Sequence, residues 1–459
     1  MKTIDLIIGI VFLAFLFYFI FKKRKNSSFN DFTKSNQSLG VWVIFASLSA
    51  TFIGPGFSLG LVNEGFNSGY FLMIVTSFYG LSKIFEGTVV AKKIRTKFKD
   101  AHSIGDIIAG KESHNNNFLH LLVGLISFAL LIGFSAVIAK AGGELLNHFT
   151  GINKVWSTII IISIVTIYSF FGGIKASIYT DMIQFVVFIV LIPVLLIFIF
   201  TNNSFDFSSF NTSMLESTKS AINTNSIPQI IALACTWFFG EMLIPPTINR
   251  ILSTNNSSTS KKALIYSGLF MIFWLFIMLI LGGAANVLNI ETSGDQTLLL
   301  LGENYLNYGL YGVFIVALIS IVMSSLDSLI NSGATVFTQD IITVYSNKTD
   351  KNKLMLARIA TIIISIFAVL ISFYFTTILS GLLFVYSVWA PAILVALFAS
   401  IFFTKMYWQS AFISIILGIT TSIVWSKFSL SETIPSILLG IIFSFIGYYI
   451  VHKIMAIND

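Results

Sequence analysis

Long apolar runs separated by short polar segments dominate the chain. The runs at residues 155–171 and 263–288 contain no Asp, Glu, Lys or Arg. Each is about as long as the roughly 20 residues that a helix needs to cross a bilayer. The chain shows no regular alternation of polar and apolar residues, which a membrane β-barrel would need. Because lipid offers the backbone no hydrogen-bond partners, the pattern predicts an all-α, polytopic membrane protein.

Thirteen apolar segments are long enough to be predicted as transmembrane helices. They lie near residues 4–21, 40–62, 70–91, 118–140, 154–171, 178–200, 226–248, 263–288, 309–336, 356–375, 378–403, 408–425 and 434–452. The composition agrees, since 56% of the residues are hydrophobic, only 10% are charged and the mean hydropathy is +0.89. The first segment lacks a small-residue cleavage site, so we expect it to be retained as a span.

Basic residues predict the orientation. Most of the 27 Lys and Arg residues, including the cluster at 22–25 and Arg250, fall in loops that share one side of the membrane if the N-terminus is outside. Cytoplasmic loops of membrane proteins carry such an excess of basic residues. We therefore expect a multi-pass protein of a bacterial inner membrane, with an outer N-terminus and a cytoplasmic C-terminus. The net charge of +7 follows from this topology and indicates no nucleic-acid partner.

Two of the predicted spans contain glycine and proline near their middle. The second span has Gly-Pro-Gly at residues 54–56, and the seventh has Gly240 followed by Pro245 and Pro246. Proline removes an amide donor and clashes with the preceding turn, so we expect both helices to break. The freed carbonyls are tolerated inside a membrane where they line a cavity or bind an ion, which indicates a transport site. The alternative is that each break is only a packing kink.

The two breaks are five spans apart, which predicts two five-helix repeats. We assign the repeats to residues 40–200 and 226–403, joined by an extracellular loop at 201–225 that holds only short helices. An extra N-terminal transmembrane helix and a cytoplasmic loop occupy residues 1–39. Two C-terminal transmembrane helices occupy residues 404–459.

Polar residues interrupt the ninth span on one helical face. Ser324, Asp327, Ser328 and Asn331 follow helical spacing. Serine hydroxyls are hard oxygen ligands that suit an alkali cation, and an Asp at membrane depth is expensive unless it is paired or functional. The alternative is that these small residues allow close helix packing.

Two further acidic residues lie in predicted spans. Asp181 is in the first turn of the sixth span, where it stabilises the helix N-terminus, pairs with Lys175 or marks an ion exit. Glu241 lies deeper, in the broken seventh span, where contact with a solute or proton and pairing with another side chain are both open. The single Cys235 excludes an intramolecular disulfide, and the five histidines show no metal-ligand spacing.

Three motifs carry a resemblance to a known family. Residues 172–184 follow the pattern GG-x-x-A-x-x-x-T-D-x-x-Q, residues 324–328 are Ser-Ser-Leu-Asp-Ser, and residues 338–340 are Thr-Gln-Asp. With the spans, these motifs make nearly the whole chain resemble the sodium:solute symporter family, which includes bacterial proline, galactose and sialic-acid carriers. The resemblance implies a LeuT-type fold of two inverted five-helix repeats, with an extra N-terminal helix and alternating access around a central site.

The resemblance also implies sodium ligands. The positions that match the shared sodium site of such carriers are Ala50, Ile53, Ile321, Ser324 and Ser325. Some members bind a second sodium ion, and the matching positions are Asp181, Ser324, Asp327 and Ser328. Asp327 stands where those members more often have serine, so it either strengthens a second site or titrates with protons. No metal other than sodium is expected.

These features predict a secondary active transporter, and not an enzyme, that couples sodium to the symport of a small organic solute. Solute contacts are expected at the two breaks, at Gly54, Gly56, Phe57, Trp237 and Glu241. We expect the protein to contact membrane lipid and to function as a monomer. The alternatives are proton coupling on the same fold, or a membrane-embedded sensor or enzyme, for which no converging catalytic side chains are evident.

Overall fold

The first half of the chain is almost entirely helical. The computed structural model describes residues 3–23, 28–110, 116–202, 205–290, 294–346, 348–428 and 434–458, so residues 24 and 25 of the basic cluster lie outside the described part. The helices of the first half are α1 (Thr3–Lys23), α2 (Phe29–Lys34), α3 (Val41–Phe52), α4 (Leu61–Ser68), α5 (Tyr70–Phe85), α6 (Ala91–Lys97), α7 (Ile104–Ala109), α8 (Asn117–Thr150) and α9 (Lys154–Phe200).

The second half is helical as well. Its helices are α10 (Phe207–Thr224), α11 (Ile227–Phe239), α12 (Pro245–Ser253), α13 (Ser257–Val287), α14 (Thr297–Tyr305), α15 (Leu310–Val336), α16 (Asp350–Ser372), α17 (Ile378–Phe402), α18 (Trp408–Trp425) and α19 (Ser436–Ile457). Short π-helical segments occur at Gly56–Gly60, Glu86–Val90 and Phe337–Ile342. Within the described ranges there is no strand, and the only β-bridge joins Leu39 to Thr254.

Eight helices of the described residues are long and apolar enough to cross a membrane, or nine if one bent pair counts as a span. The count of thirteen spans stays a prediction, because the other predicted segments lie on helices that are shorter, bent or continuous with a neighbour. α9 contains two of the predicted spans, and its 47 residues extend about 70 Å at the rise of an α-helix. That length is more than twice the roughly 30 Å of a hydrocarbon core.

Gly173 divides α9 between these two predicted spans. Its φ of 56° and ψ of −168° lie outside the helical region, in a conformation that favours glycine. A Cβ at this position would lie 2.7 Å from Cδ2 of Phe32 on α2. Glycine is therefore required both by the backbone and by the close approach of α2.

Both predicted helix breaks are present. In the second span, the helix that ends at Phe52 and the segment that begins at Gly56 are bent by 65° relative to each other. In the seventh span, α11 ends at Phe239 and α12 begins at Pro245, with Leu243 between them at a φ of 53°. The breaks free backbone groups in the middle of the bundle, where the candidate site lies.

α15 forms the centre of the bundle. In its most apolar window 89% of the residues are buried, compared with 28% for α19. α15 packs against α3, α8, α9 and α16, whereas α19 packs mainly against α17 and α18. Polar side chains on α15 are therefore enclosed by protein and not by lipid.

The prediction that residues 201–225 hold only short helices was wrong. α10 is an 18-residue helix, Phe207–Thr224, and the Asp206 side chain caps it by accepting hydrogen bonds from two main-chain amides of the first turn. Phe210 and Met214 lie one turn apart and are buried where α10 packs against α13. Two apolar residues in a polar sequence are too weak a pattern to predict this helix, so tertiary packing stabilises it.

Candidate functional site

Two serine hydroxyls join α15 to the broken second span. Ser324 Oγ donates to the carbonyl of Ala50 at 2.9 Å, and Ser325 Oγ donates to the carbonyl of Thr51 at 2.8 Å. Both hydroxyls also lie within hydrogen-bond distance of the Ile321 carbonyl, at 3.2 and 3.3 Å. All five residues are buried, so three carbonyls and two hydroxyls converge between the helices.

The helix break explains why such carbonyls are available. In an α-helix the carbonyl of Thr51 would accept from the amide four residues later. That residue is Pro55, which has no amide hydrogen, so the carbonyl of Thr51 has no donor in its own helix. Carbonyl and hydroxyl oxygens are the ligands that hard cations prefer. The cluster therefore fits a sodium ion.

Four of the five positions predicted to bind sodium are brought together in this way, namely Ala50, Ile321, Ser324 and Ser325. Ile53 stays a prediction: its amide donates to the carbonyl of Ser49 at 2.9 Å. Thr51, which was not predicted, contributes the carbonyl that Ser325 contacts. The proline four residues after Thr51 was the signal that could have identified it.

Arg250 lies at the centre of a second polar cluster. Its guanidinium pairs with Asp181 Oδ2 at 2.9 Å, and both side chains are fully buried. It also donates to Ser47 Oγ at 2.8 Å, to Thr51 Oγ1 at 2.6 Å and to Ser328 Oγ at 2.5 Å. A buried guanidinium needs such acceptors because its removal from water is costly.

The topology prediction placed Arg250 in a cytoplasmic loop, and that was wrong. The seventh span extends past its expected end because α12 continues to Ser253. Prolines at the first two positions of α12 start this helix again after the break. The restarted helix carries Arg250 into the bundle, where its side chain has no exposed surface.

Asp327 lies beside the Arg250 cluster but forms no ion pair with the described residues. Its carboxyl group is within hydrogen-bond distance of Ser177 at 2.9 Å, Tyr168 and Ser328 at 3.1 Å, and Thr180 at 3.5 Å. The hydroxyls of Tyr168, Ser328 and Thr180 also reach main-chain carbonyls. Asp327 therefore either accepts from these hydroxyls as a carboxylate or donates to one of them as a protonated acid.

Three of the four residues predicted for a second sodium ion, Asp181, Asp327 and Ser328, thus lie together. Ser328 contacts both Asp327 and the guanidinium of Arg250, and the guanidinium contacts Asp181. The sequence did not predict that a basic side chain would lie among them.

A small cavity adjoins the serine cluster at the two breaks. It is lined by Thr51, Phe52, Gly54, Phe57, Phe134, Ile138, Glu241, Ile244, Ser325, Leu329, Leu382 and Tyr386. Its volume is about 20 Å³, which is enough for about one water molecule. Most of the lining is apolar, so a solute would bury mainly hydrocarbon surface here and would need these side chains to move apart.

Three of the five predicted solute contacts, Gly54, Phe57 and Glu241, line this cavity. Gly56 packs instead against a leucine of α17. The ring of Trp237 packs against the ring of Phe57, with 5.4 Å between the centroids. Gly56 and Trp237 therefore lie behind the cavity wall.

Among the described residues, Glu241 is the only acidic one that lines the cavity. Its Oε2 accepts from the hydroxyls of Tyr79 at 2.5 Å and Tyr386 at 3.0 Å. The ammonium of Lys83 pairs with Glu86 at 3.0 Å and donates to the main-chain carbonyl of Glu241, also at 3.0 Å. The Glu241 carboxyl group is in no ion pair with the described residues, so it can meet a positive charge on a ligand.

A separate group of potential metal ligands lies beyond the C-terminal end of α15. His120 Nε2 is 2.8 Å from Asp340 Oδ1 and 3.5 Å from Asp106 Oδ1. No spacing in the sequence predicts this group, because its residues come from three separate helical segments. The Ser103 hydroxyl and the Gly105 amide also donate to Asp340. Protein hydrogen bonds thus already satisfy this group, and none of its residues lines the cavity.

Residues 32–418 match the sodium:solute symporter family. This range contains the serine cluster, the Arg250 cluster and every residue that lines the cavity. This chain belongs to the sodium:solute symporter family. It is a secondary active transporter that couples sodium to the symport of a small organic solute, and it is not an enzyme.

The relatives of this symporter are named for different solutes. Sodium/proline symporter 2 of Staphylococcus saprophyticus is 24% identical over 96% of this chain and 91% of the relative. The sodium/glucose cotransporter of Vibrio parahaemolyticus is 26% identical over 76% of this chain and 70% of the relative. Similarity to named relatives alone therefore does not select one solute.

The fold of this symporter is of the LeuT type. A Na⁺-coupled sialic acid symporter, solved in a substrate-bound outward-open state, matches with a TM-score of 0.87 and 18% identity, over 99% of this chain and 98% of the other. MhsT, solved with L-phenylalanine, matches with a TM-score of 0.59 and 16% identity, over 91% of this chain and 99% of the other. The predicted all-α, LeuT-type fold is confirmed.

Proposed function

We propose that this symporter carries a small solute with a positively charged amine, such as an amino acid, together with sodium bound at the serine cluster. The observation behind the proposal is the contact of Ser324 and Ser325 with carbonyls of the broken second span. A sodium ion among these oxygens joins α3 to α15 and completes the solute cavity beside them. The membrane potential adds roughly 2.3 kcal/mol per charge for each 100 mV to the driving force.

The cavity supports an amine-bearing solute. Apart from Glu241 and three hydroxyl-bearing residues, its lining is apolar. The Glu241 carboxyl group is half-buried and has no ion-pair partner among the described residues, so a positively charged amine on the solute would compensate its charge. A relative of this chain is a sodium/proline symporter, and proline combines a charged amine with an apolar ring. Proline and similar amino acids are therefore the solutes we expect first.

Asp327 supports a second candidate, in which a proton accompanies sodium. Its four neighbours are hydroxyls, and it has no ion pair among the described residues. A protonated Asp327 would need no cation in this environment. Sodium-dependent uptake that rises further when an inward proton gradient is imposed would favour this candidate over coupling to sodium alone.

We also propose the membrane arrangement that the sequence predicts. Residues 40–200 and 226–403 are the two inverted repeats, with an extra helix and loop at 1–39, an outer loop at 201–225 and two further spans at 404–459. The matched helix breaks support the repeats. The distribution of basic residues supports an outer N-terminus and a cytoplasmic C-terminus in a bacterial inner membrane. In this arrangement the protein functions as a lipid-surrounded monomer.

Uptake into proteoliposomes tests the sodium site. A panel of labelled amino acids, sugars, carboxylates and sialic acid, each with and without sodium, identifies the transported solute. Ser324→Ala combined with Ser325→Ala is expected to abolish sodium-dependent uptake. Ser320→Ala is the matched control, because this hydroxyl of α15 donates to the Val316 carbonyl within its own helix. Sodium dependence that is unchanged in the double variant would refute the assignment.

Glu241→Gln tests the solute class. The loss of an ionic hydrogen bond to a solute amine weakens binding by about 1.5–3 kcal/mol, or roughly 10- to 150-fold. We expect this increase in the concentration of amino acid required for half-maximal uptake, with sodium dependence retained. A panel in which only neutral sugars are transported would exclude an amine-bearing solute.

A further inference from the structure

The oxygens around Arg250 are of the kind that bind a cation, and the cation they surround is the guanidinium of the chain itself. We propose that the guanidinium of Arg250 occupies the second cation site of this symporter, so that the chain binds one sodium ion and not two. This inference rests on the proposed sodium site at Ser324 and Ser325 and adds the number of ions to it.

Oxygen ligands from three helices surround the guanidinium. Ser47 and Thr51 lie on α3, Asp181 on α9 and Ser328 on α15, and all four side chains are buried. One carboxylate and three hydroxyls form a ligand set that suits an alkali cation. In this structure each of these oxygens accepts from a nitrogen of Arg250, at 2.5 to 2.9 Å.

Asp181 and Ser328 are also two of the positions that the family resemblance assigns to a second sodium ion. Both accept from Nη2 of Arg250, at 2.9 and 2.5 Å. A sodium ion bound to the same two oxygens would lie next to the guanidinium, and like charges repel strongly where water is excluded. The charge of Asp181 is already balanced by Arg250. Of the oxygens at this pair only Asp181 Oδ1 has no hydrogen-bond partner among the described residues, and Asp181 and Arg250 together carry no net charge. A second sodium ion would therefore find one free ligand and no net negative charge at this pair.

The guanidinium is held in place by its own helix. Arg250 lies one turn after Pro246, whose carbonyl accepts from Nη1 at 3.2 Å. The proline at the first position of α12 fixes the backbone direction at the start of this helix. The cation is thereby tethered to the seventh span while it contacts α3, α9 and α15. A second sodium ion would join these helices only while it is bound. Arg250 is covalently attached to the chain and can join them whether or not sodium is present.

Counting bound sodium tests the proposal without knowledge of the solute. The purified full chain in detergent is titrated with radioactive sodium, and the ions bound per chain are counted. We expect one ion in the wild-type protein and two in Arg250→Gln, because sodium can then bind among the vacated oxygens. Arg250→Lys keeps a tethered charge and is the matched control, with one ion expected.

Two bound ions in the wild-type protein, or one ion in folded Arg250→Gln, would overturn the proposal. If Arg250→Gln does not fold, Ser328→Ala decides. A tethered cation requires that this variant still bind one sodium ion per chain, whereas loss of the bound ion identifies Ser328 as a sodium ligand and overturns the proposal.

The paired variant Ser324→Ala/Ser325→Ala separates this inference from the proposed function. If that variant still binds the single ion, the proposed sodium site is wrong. If it loses the ion while folded Arg250→Gln gains none, the sodium site stands and only the tethered cation is wrong.

Discussion

The buried pair of Arg250 and Asp181 allows a quantitative prediction about stability. Asp181→Asn leaves a fully buried guanidinium without its counter-charge, and Arg250→Gln leaves a buried carboxylate without one. Removing one partner of a buried ion pair costs about 3–5 kcal/mol. Each single variant is therefore expected to lose about that much free energy of unfolding in a sodium-free medium.

The double variant Asp181→Asn/Arg250→Gln removes both charges and should lose far less than the sum of the two. It still lacks the hydrogen bonds from the guanidinium to Ser47, Thr51 and Ser328, each of which contributes about 0.5–1.5 kcal/mol. We expect a total loss of about 2–4 kcal/mol, compared with about 6–10 kcal/mol for the sum of the single losses. The interaction energy of the pair is then at least about 2 kcal/mol.

Unfolding of the detergent-solubilised protein by SDS, followed by tryptophan fluorescence, provides the four free energies for this cycle. Repeating the titrations in sodium and in choline adds a second comparison. If sodium binds at the vacated site of Arg250→Gln, it restores about 2.7 kcal/mol at a concentration 100 times its Kd, a gain additional to that of the wild-type protein. A double variant that loses as much as the two single variants together would show that the charges do not compensate each other.

Two further predictions concern residues outside this pair. Gly54→Ala places a Cβ 3.0 Å from Ser325 Oγ, so the sodium concentration for half-maximal uptake should rise several-fold. Gly40→Ala is the control: no atom lies within 4 Å of its added Cβ, so this concentration should not change. Burial and the nearby charge of Lys34 lower the pKa of His102, in the loop before α7, to about 4. Below pH 6.5, His102 is therefore protonated in the unfolded chain but still neutral in the folded protein. The free energy of unfolding should fall by up to about 3 kcal/mol as the pH is lowered from 6.5 to 4. SDS titrations at several pH values measure this slope, which His102→Gln should remove.

α9 and α10 show which parts of the fold can be predicted from the sequence. The interruption at Gly173 was predictable because polar residues and two glycines follow the uncharged run at 155–171. The length of α10 was not predictable, because its sequence is rich in Asn, Ser and Thr and presents only Phe210 and Met214 as buried residues. Helices of this kind form mainly through tertiary packing, which leaves little trace in local sequence.

The candidate site likewise contains some residues that could be predicted from the sequence and one that could not. Ala50, Ser324 and Ser325 could be predicted from the resemblance to the family, and the break at Pro55 and the polar face of the ninth span point to the same two helices. The position of Arg250 could not, because a basic residue at the end of a predicted span is ordinarily assigned to a cytoplasmic loop. Its acceptors come from three other helices, and only their packing around α12 brings those acceptors together.

Thr51 connects the three parts of the site. Its carbonyl accepts from Ser325, its hydroxyl accepts from Arg250, and its side chain lines the cavity that also contains Glu241. A sodium ion that binds the carbonyl of Thr51 therefore acts on a residue whose hydroxyl is held by a side chain of the broken seventh span. Glu241 lies at that same break. Under the proposed function, Arg250 can in this way transmit sodium binding on the second span to the proposed solute contact on the seventh, without a second ion between them.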